Sequence, residues 1–254
     1  MVIGRPHQSK AFADRFLTMF NADGLQTIHC HDFVDDAAFV LAYQRGVKAI
    51  GGVDEYHWFW RVHIGLWAAS GASKLDGDFV ECGVNKGFLS SAIMEYLNWD
   101  SIGKTFYLLD TFKGLDERYV TDEERRVGRL AMNQDLLQSG QYTSSVGDVR
   151  ANFAEWNNVC IIEGSIPETL CRVDAKSVAY LHIDMNCAPP EVAAAHFFWD
   201  RLVPGAFMLL DDYAYHGYHE QKVAMDVFAV EKGVDICSLP TGQGLIIKPP
   251  HKGT

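Results

Sequence analysis

No stretch of the sequence approaches 18 uncharged residues, so no membrane-crossing helix is expected. The first residues, Met1-Val2-Ile3-Gly4-Arg5-Pro6, form no apolar leader segment, so export by a signal peptide is not expected. Cysteine is sparse and scattered: Cys30, Cys82, Cys160, Cys171, Cys187 and Cys237 include no C-x-x-C pair. That pattern reads as free thiols in a reducing, cytoplasmic compartment and argues against a cysteine zinc site. Positive charge is also short, with 22 Lys+Arg against 33 Asp+Glu and a formal net charge of −11. Such a chain repels phosphate backbones, which argues against a nucleic-acid partner and leaves a small molecule as the expected one. Internal repeats, low-complexity tracts and Pro/Gly-rich linkers are absent.

What remains is 254 residues of which 48% are hydrophobic, enough for a sizeable core without metal or disulfide staples. Residues 1–72 read as a mostly helical N-terminal extension, with a turn near Asn21-Ala22-Asp23-Gly24. Tyr56, Phe59, Trp60, Ile64 and Trp67 fall on one helical face, expected to pack in the core or against another subunit. From residue 73 to 254 the pattern changes to strands alternating with helices. Short apolar runs end at Cys82, Asp110, Ile162, Asp184 and Leu210, and the chain closes on a hairpin around Pro240-Thr241-Gly242. Val223, Val227 and Val230 mark a late helix, and Asp122 to Arg129 reads as a solvated helix face opened by the capping residue Thr121. Near-continuous apolar strands between helices predict an α/β fold, a doubly wound, mostly parallel sheet covered on both faces. In such sheets ligands bind beyond the carboxyl ends of the strands, so the residues just after each strand are the candidates.

The first strand ends in Glu81-x-Gly83-x-x-x-Gly87, where bare backbone lets a ligand approach; a plain strand–helix turn gives the same pattern. Asn85 stands where a G-x-G-x-x-G fingerprint would have its second glycine, which argues against a nicotinamide dinucleotide. Asp110 ends the second strand, where a carboxylate can hold ribose hydroxyls or merely cap a turn. Asp184 ends the fourth, with Asn186 two residues on, and Asp211-Asp212 end the fifth. If those strands are neighbours, three carboxylates converge and call for a cation, although either late Asp can instead cap the next helix. His182 is expected to be packed or paired within its strand. His216 and His219 follow the acidic pair in a Tyr/Gly-rich loop and are candidate proton acceptors.

The motifs F-V-E-C-G-V-x-x-G, L-L-D-T-F-x-G-L, E-G-S-I-P-E-T-L, I-D-M-N and L-V-P-G-A-F-M-L-L-D-D-Y run in this order between Gly77 and Lys248. Together they resemble the macrocin O-methyltransferase family, class I S-adenosylmethionine-dependent methyltransferases acting mainly on sugar hydroxyls of natural products. The resemblance implies a seven-stranded Rossmann-like sheet whose last strand is antiparallel. It implies that Glu81 and Gly83 line the methionine part of the cofactor, with Cys82, Gly87 and Asp184 completing the contact set. Asp110 would hold the ribose, Thr111 and Phe112 would lie alongside, and Gly164, Ser165 and Ile166 would border the adenine. Asp184, Asp211 and Asp212 would be the ligands of Mg²⁺, and subunits would associate as homo-oligomers.

One departure stands out. The family's D-x-D after the fourth strand places a candidate base at its second acid, and here that residue is Asn186, which cannot take a proton. The expected catalytic set is therefore Asp184 and Asn186 at the metal and acceptor, with His216 or His219 as base. Three other readings stay open: cofactor binding without transfer, a nicotinamide-dependent oxidoreductase, and methylation of nitrogen or carbon.

Overall fold

The computed structural model describes residues 20–250. The helical expectation for residues 1–19 and the reading of Met1–Pro6 lie outside the described residues. Among these residues, no helix is long and apolar enough to cross a membrane.

The extension opens with a two-stranded hairpin, β1 (Phe20–Ala22) and β2 (Leu25–Thr27), turning at the expected Asp23-Gly24. Two helices follow, α1 (Ala37–Ala49) and α2 (Phe59–Ala72). Asp36 caps α1 by accepting the Phe39 amide at 2.9 Å. The expected aromatic face of α2 is not its buried face. Val62, Leu66 and Ala69 face the core, while Trp67 is 52% exposed. Small residues win here because helices and sheet approach closely; a Cβ on Gly65 would lie 2.7 Å from Leu89.

The rest alternates: β3 (Asp78–Cys82), α3 (Phe88–Tyr96), β4 (Phe106–Asp110), α4 (Asp122–Arg126), α5 (Arg129–Gln138), α6 (Val146–Phe153), β5 (Val159–Glu163), β6 (Val178–Ile183), α7 (Ala188–Trp199), β7 (Leu202–Leu210), α8 (His219–Lys232), β8 (Cys237–Ser238) and β9 (Gly244–Ile247). The seven-stranded sheet has the order β5-β4-β3-β6-β7-β9-β8, with β9 antiparallel to both neighbours and the other pairings parallel. This is the expected Rossmann-like architecture. Each strand feeds two cores by alternation. Val80, Leu109, Leu181 and Met208 pack under α7 and α8, while Phe79, Leu108 and Tyr180 pack under α1 to α3.

Two helix faces differ from expectation. Val223, Val227 and Val230 look outward from α8, and Met225, Phe228 and Ala229 are its buried face. In the run from Asp122 to Arg129, Glu124 is fully buried and Arg129 nearly so. Glu124 closes a capping box with Thr121, accepting its amide at 2.8 Å, and also accepts the Ala188 amide at 2.8 Å at the start of α7. That carboxylate staples the α4 segment to the helix that follows β6.

Candidate active site at the carboxyl ends of the central strands

Backbone bonds set the strand tips side by side. Gly83 N–H donates to Leu109 O at 2.8 Å, Gly164 N–H to Asp110 O at 2.9 Å, Asp184 N–H to Cys82 O at 2.8 Å and Asp211 N–H to Ile183 O at 2.9 Å. Beyond the tips of β3, β4, β5 and β6 lies a cavity of about 790 Å³, counting the space open to solvent. Of the residues singled out in the sequence, Gly83, Asp110, Thr111, Gly164, Ser165, Ile166, Asp184 and Asn186 all line it. Gly83 has φ +92°, and a Cβ there would sit 1.7 Å from Asp184 O. Only glycine lets the loop after β3 lie against the tip of β6.

Four other expected cofactor contacts sit elsewhere. Cys82 and Phe112 are core residues, fully or almost fully buried. Gly87, at φ +86°, caps α3, and its missing side chain makes room for Phe153. Glu81 is buried against His182, whose Nδ1 lies 2.8 Å from Glu81 Oε1. Asp110 lines the cavity, but its carboxylate is already engaged. Oδ2 accepts the amides of Val84 and Asn85, each at 2.8 Å, and Oδ1 accepts that of Phe112 at 2.6 Å. Two of these amides belong to the glycine loop and the third to the turn after β4, so the Asp110 carboxylate ties the two together.

His182 is packed and paired, as expected, and it joins the acidic cluster. His182, Asp184 and Asp211 each offer one ligand atom, all within 4.8 Å of one another. His182 thus stands where the sequence pointed to Asp212. Its Nε2 is buried without a hydrogen-bond partner, 3.6 Å from Asp211 Oδ1. Burial works against an imidazolium there, but the flanking Asp211 and Glu81 outweigh it and push His182 up to about 10. Burial, then the charges of Asp211 and Asp212, push Asp184 well above the usual carboxylate range. Burial and Asp211 likewise raise Asp212 to about 7. A divalent cation arriving there would displace the His182 proton and let the buried acids ionise, so the orphaned nitrogen and the carboxylates fit one.

One cation is already built in. Arg61 of α2 hydrogen-bonds the Asp211 carboxylate, donates to Asp211 O at 3.0 Å, and lies 3.9 Å from Asp212 Oδ1. Gln243 donates to Asp211 Oδ1 at 2.9 Å. Burial alone would raise Asp211, but Arg61, His182 and Gln243 hold it below the usual range. Asp23 of the N-terminal hairpin accepts from Arg61 Nε at 3.2 Å, tying the extension to the site. Arg61 was missed by sequence reasoning; its only signal is a charge set within Trp58-Phe59-Trp60-Arg61-Val62. Tyr142, in the loop after α5, also lines the cavity and carries no motif.

Asn186 adopts φ +58° and its Nδ2 donates to Asp184 Oδ1 at 3.3 Å. His216 and His219 are exposed and neither lines the cavity: the turn after β7 carries His216 to the surface, and His219 opens α8 there.

Residues 68–236 match the family profile described as Macrocin-O-methyltransferase (TylF). A curated relative from Streptomyces olivaceus, 8-demethyl-8-(2,3-dimethoxy-alpha-L-rhamnosyl)-tetracenomycin-C 4'-O-methyltransferase, is 26% identical over 152 residues, which span 56% of this chain and 55% of that one. The match thus covers about half the length of that relative. The solved structure of the O-methyltransferase NovP superposes with a TM-score of 0.64 at 18% identity, covering 85% of this chain and 98% of that one. The calicheamicin methyltransferase CalS11 gives 0.55 at 15%, covering 86% and 94%. At such identities these two structures establish the fold alone. The profile match runs from α2 through the glycine loop and both acidic tips to the turn before β8, and by it this chain belongs to the macrocin O-methyltransferase family.

Proposed function

We propose that the protein methylates a hydroxyl of a sugar, or of a small natural product that carries one. The donor is S-adenosylmethionine, assisted by a divalent cation at the acidic tips. The observation that carries this reading is that Gly83 and Asp184 share one wall of the cavity, so donor and acceptor sites meet there. When bound, S-adenosylmethionine supplies a methyl group on positively charged sulfur, and the cation supplies acidity to the accepting hydroxyl.

The chain's own residues do the rest. The bare backbone at Gly83 admits the methionine end of the donor, and Thr111, Gly164, Ser165 and Ile166 border its nucleoside. Leu109, Leu115 and Met185 add apolar wall that excludes water. Asp184 and Asp211 hold the cation, with His182 or Asp212 completing the set. Arg61 and Gln243 fix the Asp211 carboxylate in one orientation. Asn186 can orient the acceptor but cannot deprotonate it. When His182 completes the cation's set, Asp212 is the carboxylate left free to take the hydroxyl proton.

The test is incubation of the purified protein with S-adenosylmethionine and a panel of rhamnosides bearing free vicinal hydroxyls, with and without chelator, read by mass spectrometry. The expected result is transfer of one methyl group, slowed by the chelator. Transfer to no member of the panel, together with no heat on titrating S-adenosylhomocysteine, overturns the reading. Asn186 supports a second reading, donor binding without transfer; heat with S-adenosylhomocysteine but no turnover would favour it. The acidic charge and free thiols support a cytoplasmic protein, and the exposed Trp67 supports contact between subunits.

A further inference from the structure

Asn85 is the residue that spoils the dinucleotide fingerprint, and its side chain has a task of its own. It sits in the glycine loop at φ +50°, a conformation asparagine tolerates better than most residues. Its backbone amide is one of the three held by Asp110. Its side-chain amide reaches the loop between α5 and α6. Nδ2 donates to Gln141 O at 3.1 Å, and Oδ1 accepts the Thr143 amide at 2.9 Å. Both ends of one carboxamide thus grip the two residues flanking Tyr142.

Tyr142 lines the cavity. Asp184 and Asn186, at the acidic end where an acceptor would stand, line the same cavity. The same loop is fastened twice more: Lys86 bonds Gly140 O, and Gln141 bonds the Tyr56 hydroxyl of the N-terminal extension. Thr143 is itself buried, so its amide has no water to fall back on if Asn85 lets go.

We propose that Asn85 is a positioning residue: it latches the Gln141–Thr143 loop over the cavity and makes the placement of Tyr142 depend on the conformation of the glycine loop. The coupling half of this inference rests on the function proposed above, because it requires a donor that contacts the glycine loop. The latch itself does not. Occupation of the cavity beside Gly83 stiffens the loop that carries Asn85, and Asn85 passes that order to Tyr142. The acceptor wall is then complete only when the donor is in place.

The experiment is amide hydrogen exchange on the full chain, with and without S-adenosylhomocysteine. The wild type is compared with Asn85→Gly and Asn85→Asp. Glycine keeps the positive φ and the backbone bond to Asp110 but removes both grips. Aspartate keeps the oxygen that accepts from Thr143 and loses the donor to Gln141. Without ligand, the Thr143 amide is expected to exchange about tenfold faster in Asn85→Gly and near the wild-type rate in Asn85→Asp. Amides of β6 should not change, which separates loss of the latch from loss of the fold. S-adenosylhomocysteine should slow exchange across residues 139–143 in the wild type and leave Asn85→Gly unaffected. Equal Thr143 exchange in wild type and Asn85→Gly without ligand overturns the latch. Equal ligand protection in both overturns the coupling. No binding of S-adenosylhomocysteine to the wild type overturns the functional reading and the coupling with it, while the ligand-free comparison still decides the latch.

Discussion

Arg61, in the first turn of α2, donates hydrogen bonds to both the side chain and the backbone carbonyl of Asp211 at the tip of β7. The pair is almost fully buried, with side chains 11% and 12% exposed. Removing one partner strands the other charge out of water. Arg61→Met is therefore expected to cost about 3–5 kcal/mol of stability, since breaking a buried pair leaves an uncompensated ion. Arg61→Lys should recover only part of that, because an ammonium cannot reproduce the planar fork. Urea unfolding of the three proteins checks both; a loss under 1 kcal/mol, by the surface-pair benchmark, would sink the claim.

Asp212 gives the pH dependence a definite sign. Its carboxyl is raised from 3.8 to about 7 in the folded chain, so between those values the folded state holds a proton the unfolded state has released. Its contribution is fully present below pH 3.8 and is lost as pH rises through about 7. His182 continues the trend: raised from 6.5 to about 10, it contributes below pH 6.5 and loses that contribution as pH climbs through about 10. Metal-free protein should therefore be less stable at pH 9 than at pH 6, by an amount on the order of a few kcal/mol. Asp212→Asn should flatten the profile between pH 4 and 7, within the window set by the shift to about 7. A metal-free profile that rises with pH over this range would contradict the assignment.

The exposed histidines and Asn186 make opposite predictions. His216→Ala and His219→Ala should leave methyl transfer within about twofold of wild type, because neither ring lines the cavity. Asn186→Asp adds a proton acceptor two residues from Asp184 and should steepen the rise of rate with pH. A loss of about 100-fold in either histidine variant would restore that ring as the base.

Glu124 is expected to matter for stability without itself lining the cavity. Glu124→Ala strips the acceptor from the amides of Thr121 and Ala188 and from the Cys187 thiol. The cost should be about 2–4 kcal/mol, given about 1–3 kcal/mol for each buried donor left unpaired. Glu124→Gln should fall between the two, and thermal unfolding ranks the series.

The sheet was legible because its strands are short apolar runs that end in glycine or acid, and pattern alone carries that information. The terminal hairpin and the convergence of Asp184 with Asp211 followed from the same reading. The helix faces of α2 and α8 were not legible by counting large side chains. There the contact surface mixes Val62, Leu66, Met225 and Phe228 with Gly65, Ala69 and Ala229, while Trp67 and the outward valines imitate a core stripe. Glu81 and Asp110 stand out in the sequence as strand-end acids, but the groups their carboxylates meet do not. Their partners are a histidine on a different strand and three main-chain amides, and nothing local in the sequence reports either. Arg61 and Tyr142 reach the site from single positions without a motif, so only the fold reveals them.

The close seat of Gly83 on the carbonyl of Asp184 has a consequence for how this protein can change. A side chain at position 83 would have to displace the strand end that presents the acids, so the two half-sites move as a single rigid corner. The rest of the cavity wall comes partly from the loops around residues 112–145, which can be redrawn while the corner itself admits almost no variation.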